Sequence, residues 1–247
     1  MSPAGQLKIP NGELQVVDNI PAAFADLVAQ QLASVLARDD TVRDETPGAH
    51  RARFSLVLSG GSTARECYER LALSPALDWR RVECLVGDER CVPADDPDAN
   101  QRMIREALVE RVSPHPRFLP MDCAVPEDYQ AVIAQRPRLD LVHLGLGPDG
   151  HTASLFPGSA ALSAPVDRLV DRNVDPSGLN PHERLTLTLS GIARARLVVF
   201  TVSGADKHQA MSRVLRDDNL PATRVRAERV VWLCDQGAIG SETLAVG

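Results

Sequence analysis

His151 follows a carboxylate by two residues, in the stretch Gly145-Leu146-Gly147-Pro148-Asp149-Gly150-His151 that closes the apolar run Leu139 to Leu144. Imidazole has the pKa suited to a general base near neutrality, and a nearby carboxylate can fix its tautomer and orientation. A single histidine is more often structural than catalytic. Here a glycine-rich turn presents it at the carboxyl end of a buried strand, with Asp149 beside it. His143 lies inside the same run and reads as a packed histidine. His50, His115, His182 and His208 show no i, i+4 pairing or other ligand spacing, so no metal is expected.

Two further stretches suit an anion. In Leu58 to Ala64 a strand runs through Gly60, Gly61, Ser62 and Thr63 into a helix. Glycine lets the main chain approach a phosphate, the helix start offers free N–H groups, and the two hydroxyls add donors. The alternative is a tight turn with a Ser/Thr N-cap. The Walker lysine and the G-x-G-x-x-G spacing are both missing, and Ala64 replaces the second glycine of a nucleophile elbow, so no nucleotide cofactor is expected. In Val86 to Asn100, Arg90 directly follows a strand and could hold a phosphate or stabilise an oxyanion. The competing reading is a surface ion pair with Asp88 or Asp95. Asp95, Asp96 and Asp98 are interrupted by Pro93 and Pro97 and lack calcium-loop spacing, which makes them a solvated acidic loop.

Elements must place these loops together. Leu14 to Val17, Phe54 to Leu58, Val82 to Val86, Leu139 to Leu144, Leu185 to Leu189 (half-buried), Leu197 to Val202 and Val230 to Leu233 read as strands. Helices are expected from Pro21, with Phe24, Leu27, Val28, Leu32, Val35 and Leu36 on one face, and over 64–73, 100–109, 126–135 and 205–215. Strands alternating with helices give an α/β fold: a mostly parallel sheet flanked by helices on both faces. Residues 39–52 read as a surface connection rather than a linker, so residues 1–247 form one domain. Ligands of such sheets gather beyond the carboxyl ends of the strands, where all three loops fall.

Composition narrows the class. The 247 residues are 44% hydrophobic and 24% charged, an ordinary globular balance. A net charge of −6 argues against a nucleic-acid partner. The five cysteines are odd in number and form no C-x-x-C pair, so neither a disulfide framework nor a zinc ribbon is expected. The first residues lack the pattern of a signal peptide, and no run approaches 18 apolar residues, so no membrane partner is expected. The chain reads as a reduced, cytoplasmic protein. Helix faces alone do not separate a monomer's core from a subunit contact, so a monomer or a homodimer is expected.

The three loops closely resemble the 6-phosphogluconolactonases of the glucosamine-6-phosphate isomerase/6-phosphogluconolactonase superfamily. The likeness runs through LSGGST (58–63), GDERCVPADDPDAN (87–100), DLVHLGLGPDGHTASLFPGS (140–159), ERLTLTLSGI (183–192), VVFTVSGADKHQAM (198–211) and LPATRV (220–225). It departs at Ala99, where Ser often precedes the Asn, and at His182, where Pro often precedes Glu-Arg. The resemblance implies a Rossmann-like fold and hydrolysis of a phosphorylated sugar lactone in the oxidative pentose phosphate pathway. His151 would activate water, Asp149 would orient it, and Arg90 would serve either the oxyanion or the phosphate. Gly60, Gly61, Ser62 and Thr63 would take the 6-phosphate with Arg184 and Lys207, whose alternative is a surface cation. Asn100 would either bond sugar hydroxyls or cap its helix.

Two relatives within the superfamily mark the alternatives. In the deaminases an acid falls where this chain has Phe156, whose ring transfers no proton, which disfavours isomerase or deaminase chemistry. A sugar-responsive repressor would carry a basic helix-turn-helix, and the first 50 residues show none. A non-enzymatic sugar-phosphate sensor is the remaining alternative.

Overall fold

The computed structural model describes residues 8–39, 53–75, 77–216 and 218–240. In chain order the elements are β1 (Lys8–Ile9), β2 (Gly12–Val16), α1 (Ile20–Asp39), β3 (Phe54–Leu58), α2 (Ser62–Ala72), β4 (Val82–Val86), β5 (Asp88–Arg90) and α3 (Asn100–Ala107). They continue with β6 (Arg117–Leu119), α4 (Pro126–Ala134), β7 (Leu139–Leu144), β8 (Val170–Asn173), β9 (Arg184–Leu187), α5 (Leu189–Ile192), β10 (Ala195–Val202), α6 (His208–Leu215), β11 (Arg229–Cys234) and α7 (Gln236–Ile239).

The main sheet has the order β1-β2-β11-β10-β7-β3-β4-β6. Every neighbouring pair is parallel except the short β1–β2 ladder. All residues of β3, β4 and β7 are buried, as strands covered on both faces must be. One face is closed by α1 and α2. Phe24 of α1 and Tyr68 of α2 both pack on His143 of β7, with ring centroids 4.3 and 5.4 Å away. From β3 the chain builds outward to β4 and β6, then returns to β7 on the other flank of β3 and continues to β10 and β11. The order therefore reverses between β3 and β7, and a crevice opens there beyond the carboxyl ends.

A second, antiparallel sheet, β5-β9-β8, stands beside this crevice. Sequence reading misses β1, β5, β6 and β8, each too short to show a period. It also makes 185–189 half-buried, whereas β9 is the fully buried middle strand of the small sheet. The chain then turns into α5 at Leu189, with the Thr188 hydroxyl accepting the Gly191 N–H. The predicted helix over 205–215 is a 3-10 turn, Ala205–Lys207, running into α6. Of the expected surface connection, residues 40–52 lie outside the described residues.

Two expectations need correction. Cys91, just after β5, is disulfide-bonded to Cys123, beyond β6 and 32 residues away, with Cα atoms 5.6 Å apart. Spacing along the chain carries no trace of this pair, because the sheets bring the two loops together. The free cysteines among the described residues, Cys67, Cys84 and Cys234, are buried. In addition, α1 is long and apolar enough to cross a membrane over Ile20–Ala37, with mean hydropathy 1.4. Counting consecutive apolar residues misses this. In the fold Phe24, Ala25, Val28 and Leu32 of this helix belong to the buried core.

Candidate active site

The loops after β3 and β7 flank the switch point, and both depend on glycine for close approach. A Cβ on Gly147 would stand 2.1 Å from His151 Nδ1, so the imidazole lies directly over that backbone. Gly150 turns the chain with φ +91°, and Gly150 N–H donates to Gly147 O at 3.0 Å. The Thr152 hydroxyl donates to Gly145 O at 2.9 Å and closes the turn. His151 Nδ1 is 2.6 Å from Asp149 Oδ1, which also accepts the His151 backbone N–H at 3.1 Å. Burial pulls the Asp149 carboxyl up, but the bonds and charge of His151 outweigh it and leave it below its ordinary pKa. The carboxylate therefore holds the proton on Nδ1 and leaves Nε2 as the basic nitrogen. Phe156 stands beside the imidazole at 5.1 Å between centroids and forms an apolar wall.

After β3, Gly61 is the N-cap of α2 with φ +107°, a conformation that favours glycine. The alternative of a Ser or Thr side-chain cap is not used: no side chain caps this helix, and Ser62 and Thr63 stand at its open first turn. The N–H groups there point beyond the sheet, where an anion gains from the helix dipole. A Cβ on Gly60 would lie 2.0 Å from Asn100 Oδ1, so Asn100 packs on bare backbone. Asn100 is not the cap of α3, as that position falls on Ala99. Its side chain donates to Asp88 O at 2.8 Å.

The carboxylate that holds the start of α3 is Glu89, which sequence reading passed over. Its oxygens accept the backbone N–H groups of Asn100 and Gln101, both at 2.7 Å. Burial raises the Glu89 carboxyl, and these hydrogen bonds work against that rise. No local pattern shows such a cap, because the residue lies eleven positions before the helix it serves.

Arg90 and Arg184 are directly paired across β5 and β9. Like charges placed opposite each other in a ladder repel. Arg90 Nη1 donates to Asp98 O at 2.7 Å and lies 3.8 Å from Asp98 Oδ1, so the surface ion pair expected for it forms with Asp98 rather than with Asp88 or Asp95. Arg184 is only 5% exposed, and its Nε and Nη1 are buried without an acceptor among the described residues. Burial, then the charge of Arg90, lowers the pKa of Arg184. Lys207 closes the other side, on the turn after β10. That turn is set by Gly204 at φ +97° and by Asp235, which accepts the Ser203 hydroxyl at 2.6 Å. Lys207 Nζ is 3.8 Å from Asp206 Oδ2.

These groups converge on one cavity of about 250 Å³. Every predicted site residue lines it except Asp149, which stands behind His151. Asp88, just beyond β4, also lines it, and Ser154, Asn180, Thr201 and Ser203 line it without having been anticipated. The Ser154 hydroxyl donates to Asp88 Oδ2 at 2.6 Å, across 66 residues of sequence. Asp95, Asp96 and Asp98 are at the surface, and among the described residues no three His, Cys, Asp or Glu side chains are grouped to hold a metal ion.

A parallel α/β sheet with paired cations at its switch point and an oriented imidazole at the same crevice defines a class: enzymes that grip a small anionic substrate and move a proton on it. The comparisons place the chain within that class. The family described as glucosamine-6-phosphate isomerases/6-phosphogluconolactonase matches residues 21–232. A Synechocystis 6-phosphogluconolactonase is 38% identical over 210 residues, covering 77% of this chain and 85% of that protein. The rat 6-phosphogluconolactonase is 34% identical over 237 residues, covering 88% and 87%. The crystal structure of the Thermotoga maritima 6-phosphogluconolactonase superposes with a TM-score of 0.72 at 29% identity, over 90% of this chain and 98% of that one. The chain belongs to the glucosamine-6-phosphate isomerase/6-phosphogluconolactonase family.

Proposed function

We propose that this chain is a 6-phosphogluconolactonase that hydrolyses 6-phospho-D-glucono-1,5-lactone to 6-phospho-D-gluconate, the lactone-opening step of the oxidative pentose phosphate pathway. The observation that carries the phosphate requirement is Arg184, a buried cation with two unpartnered nitrogens and a second arginine opposite. A dianion in the cavity offsets both the repulsion and the desolvation. Gly60, Gly61, Ser62 and Thr63 cradle the same phosphate with N–H and hydroxyl donors, and Lys207 adds a second cation to Arg184. Asn100 bonds the sugar hydroxyls.

The other end of the substrate faces His151. A δ-lactone is an activated ester, so no covalent enzyme intermediate is required. Nε2 takes a proton from water as its oxygen bonds to C1, and the carbonyl oxygen becomes the oxyanion. Asp149 stabilises the imidazolium that forms. Collapse of the tetrahedral intermediate expels the ring oxygen, which receives the proton back from His151. Such proton transfer contributes about 10²–10⁴-fold. Arg90, one nitrogen of which is held by Asp98, stabilises the oxyanion. Phe156 supports hydrolysis over deamination, since it contributes an apolar wall beside the base and no acid. The reading uses no metal or cofactor.

All of these groups come from one chain, so the chemistry suits a monomer or a homodimer equally. The partner is a phosphorylated sugar lactone, with neither nucleic acid nor membrane. Such a charged substrate is retained inside cells, which supports a cytoplasmic location; the Cys91–Cys123 disulfide does not fit the expectation of fully reduced cysteines.

The test is hydrolysis of freshly generated 6-phosphogluconolactone, corrected for spontaneous opening, beside unphosphorylated gluconolactone. Rapid turnover of the phosphorylated lactone, lost by orders of magnitude in His151→Ala while phosphosugar binding survives, is the expected result. Binding without turnover in the wild type would instead assign the chain as a sensor.

A further inference from the structure

Beneath the phosphate cradle lies a closed polar network that the proposed chemistry does not use. His143 of β7 is fully buried, with Nδ1 2.8 Å from the Tyr68 hydroxyl and Nε2 2.9 Å from the Thr201 hydroxyl. Tyr68, on α2 and equally buried, accepts the Ser59 N–H at 2.8 Å and donates to Ser59 O at 3.0 Å. The Ser59 hydroxyl in turn donates to His143 O at 2.7 Å. Ser59 is the residue between β3 and Gly60, so both of its main-chain polar groups and its side chain are tied down where the cradle begins.

Donor accounting gives one satisfied arrangement. The single hydroxyl proton of Tyr68 goes to Ser59 O, so Nδ1 of His143 must carry its own proton and donate it to Tyr68. Nε2 is then an acceptor and takes the Thr201 hydroxyl proton. Burial pushes the Cys67 thiol of α2 up to about 12 and keeps it protonated. Burial likewise holds His143 at about 3, so the ring is neutral and its tautomer is set by its partners. With every partner made, the network has one low-energy geometry, and a half-satisfied one would be costly.

We propose that His143 and Tyr68 are positioning residues for phosphate capture: through Ser59 they hold the Gly60–Thr63 backbone in the orientation that aims its N–H groups at the dianion. This rests on the reading of that loop as the phosphate cradle. Neither side chain lines the cavity; Tyr68 acts through Ser59, and His143 reaches the lining through Tyr68 and through Thr201. For Tyr68 the effect belongs to binding of the phosphate and not to proton transfer at His151; His143 stands on β7, which runs on into the His151 loop, so the Tyr68 variant is the one that separates the two.

The test compares the wild type with Tyr68→Phe and His143→Phe, both of which keep a six-carbon ring or place one where the imidazole stood. KM and kcat are measured for the phosphorylated lactone, kcat/KM for gluconolactone, and Ki for inorganic phosphate as a competing anion, with thermal melts alongside. Tyr68→Phe strips Ser59 of two bonds and is expected to raise KM and the phosphate Ki together by roughly tenfold, the worth of one or two hydrogen bonds. Its kcat stays within about threefold and gluconolactone hydrolysis is unchanged. His143→Phe leaves the Tyr68–Ser59 bonds in place and shifts KM and Ki in the same direction by less. Equal losses on both lactones, or a lowered melting temperature with KM and Ki unmoved, would reduce the network to general packing and overturn the proposal. Absence of phosphate inhibition in the wild type itself would overturn the cradle reading beneath it, a result visible before any variant is made. Should one variant fail to fold, the other carries the same comparison.

Discussion

Gly147→Ala should disable the candidate base without disturbing the fold. A methyl group at this position would stand 2.1 Å from Nδ1 and 2.2 Å from Cε1 of His151, whereas ordinary contact begins at 3.4 Å. The ring must therefore retreat by about 1.3 Å. Nδ1 now sits 2.6 Å from Asp149 Oδ1, and a retreat of that size along the bond takes it beyond hydrogen-bonding reach. The imidazole then loses both its place and the partner that fixes its tautomer. A misplacement of about 1 Å near the reacting atoms costs about 10²-fold, and loss of the oriented base brings the expected fall in kcat to roughly 10²–10³-fold. Gly147 is not among the positive-φ glycines, so alanine meets no backbone strain there. KM for the phosphorylated lactone should stay within about threefold, because the phosphate is held on other loops, and the melting temperature should move by only a few degrees. Steady-state kinetics and a thermal melt on one preparation decide the matter. A Gly147→Ala enzyme with wild-type kcat would refute the claim that the imidazole works from its seat over residue 147.

Four further outcomes follow from particular contacts. Arg184→Gln should raise KM for the phosphorylated lactone by about 10²-fold and leave gluconolactone untouched. Arg90→Ala should lower kcat on both lactones by about 10²-fold, and an effect confined to the phosphorylated one would move Arg90 to the phosphate. His143 is held at about 3, against 6.5 for a free imidazole. The unfolded chain therefore takes up a proton that the fold refuses, and stability falls as pH drops through 6.5 toward 3. By pH 5 the loss from this residue is about 2 kcal/mol, and urea midpoints of His143→Phe should decline less between pH 7 and 5 than those of the wild type. Replacing Cys91 and Cys123 by Ser opens a closure spanning 32 residues and should cost roughly 3–4 kcal/mol, seen as a melting temperature lower by roughly 10 °C. An unchanged melt in the oxidised protein would show that the bridge contributes nothing.

The elements most readable from sequence were those whose burial is uniform. The bounds of β3, β4 and β7 were read off the sequence as they stand in the fold, because strands covered on both faces are mostly apolar even with Ser55, Glu83, Asp140 and His143 among them. The position of the two glycine-rich loops beside the crevice was equally legible. Gly60 and Gly147 are required where a side chain must lie against bare backbone, and Asp149 reaches His151 within a single turn. These are local constraints, written within a few residues of where they act.

Tertiary structure alone decided what depends on distant partners. Arg184 reads along the chain as an ordinary cation; only the β5–β9 ladder sets it opposite Arg90, and only burial leaves its nitrogens without acceptors. Glu89 reaches across eleven residues to hold α3, Cys91 crosses 32 to meet Cys123, and Ser154 crosses 66 to meet Asp88. His143 could be called a packed histidine from its place in an apolar run. Its tautomer and its hold on Ser59 required α2 and β10 to be seated against β7. The periodicity of a chain records which residues are buried and where it turns, since those follow from the period of the element itself. Which buried groups meet is set by strand order and register, and these emerge only when the whole sheet has closed.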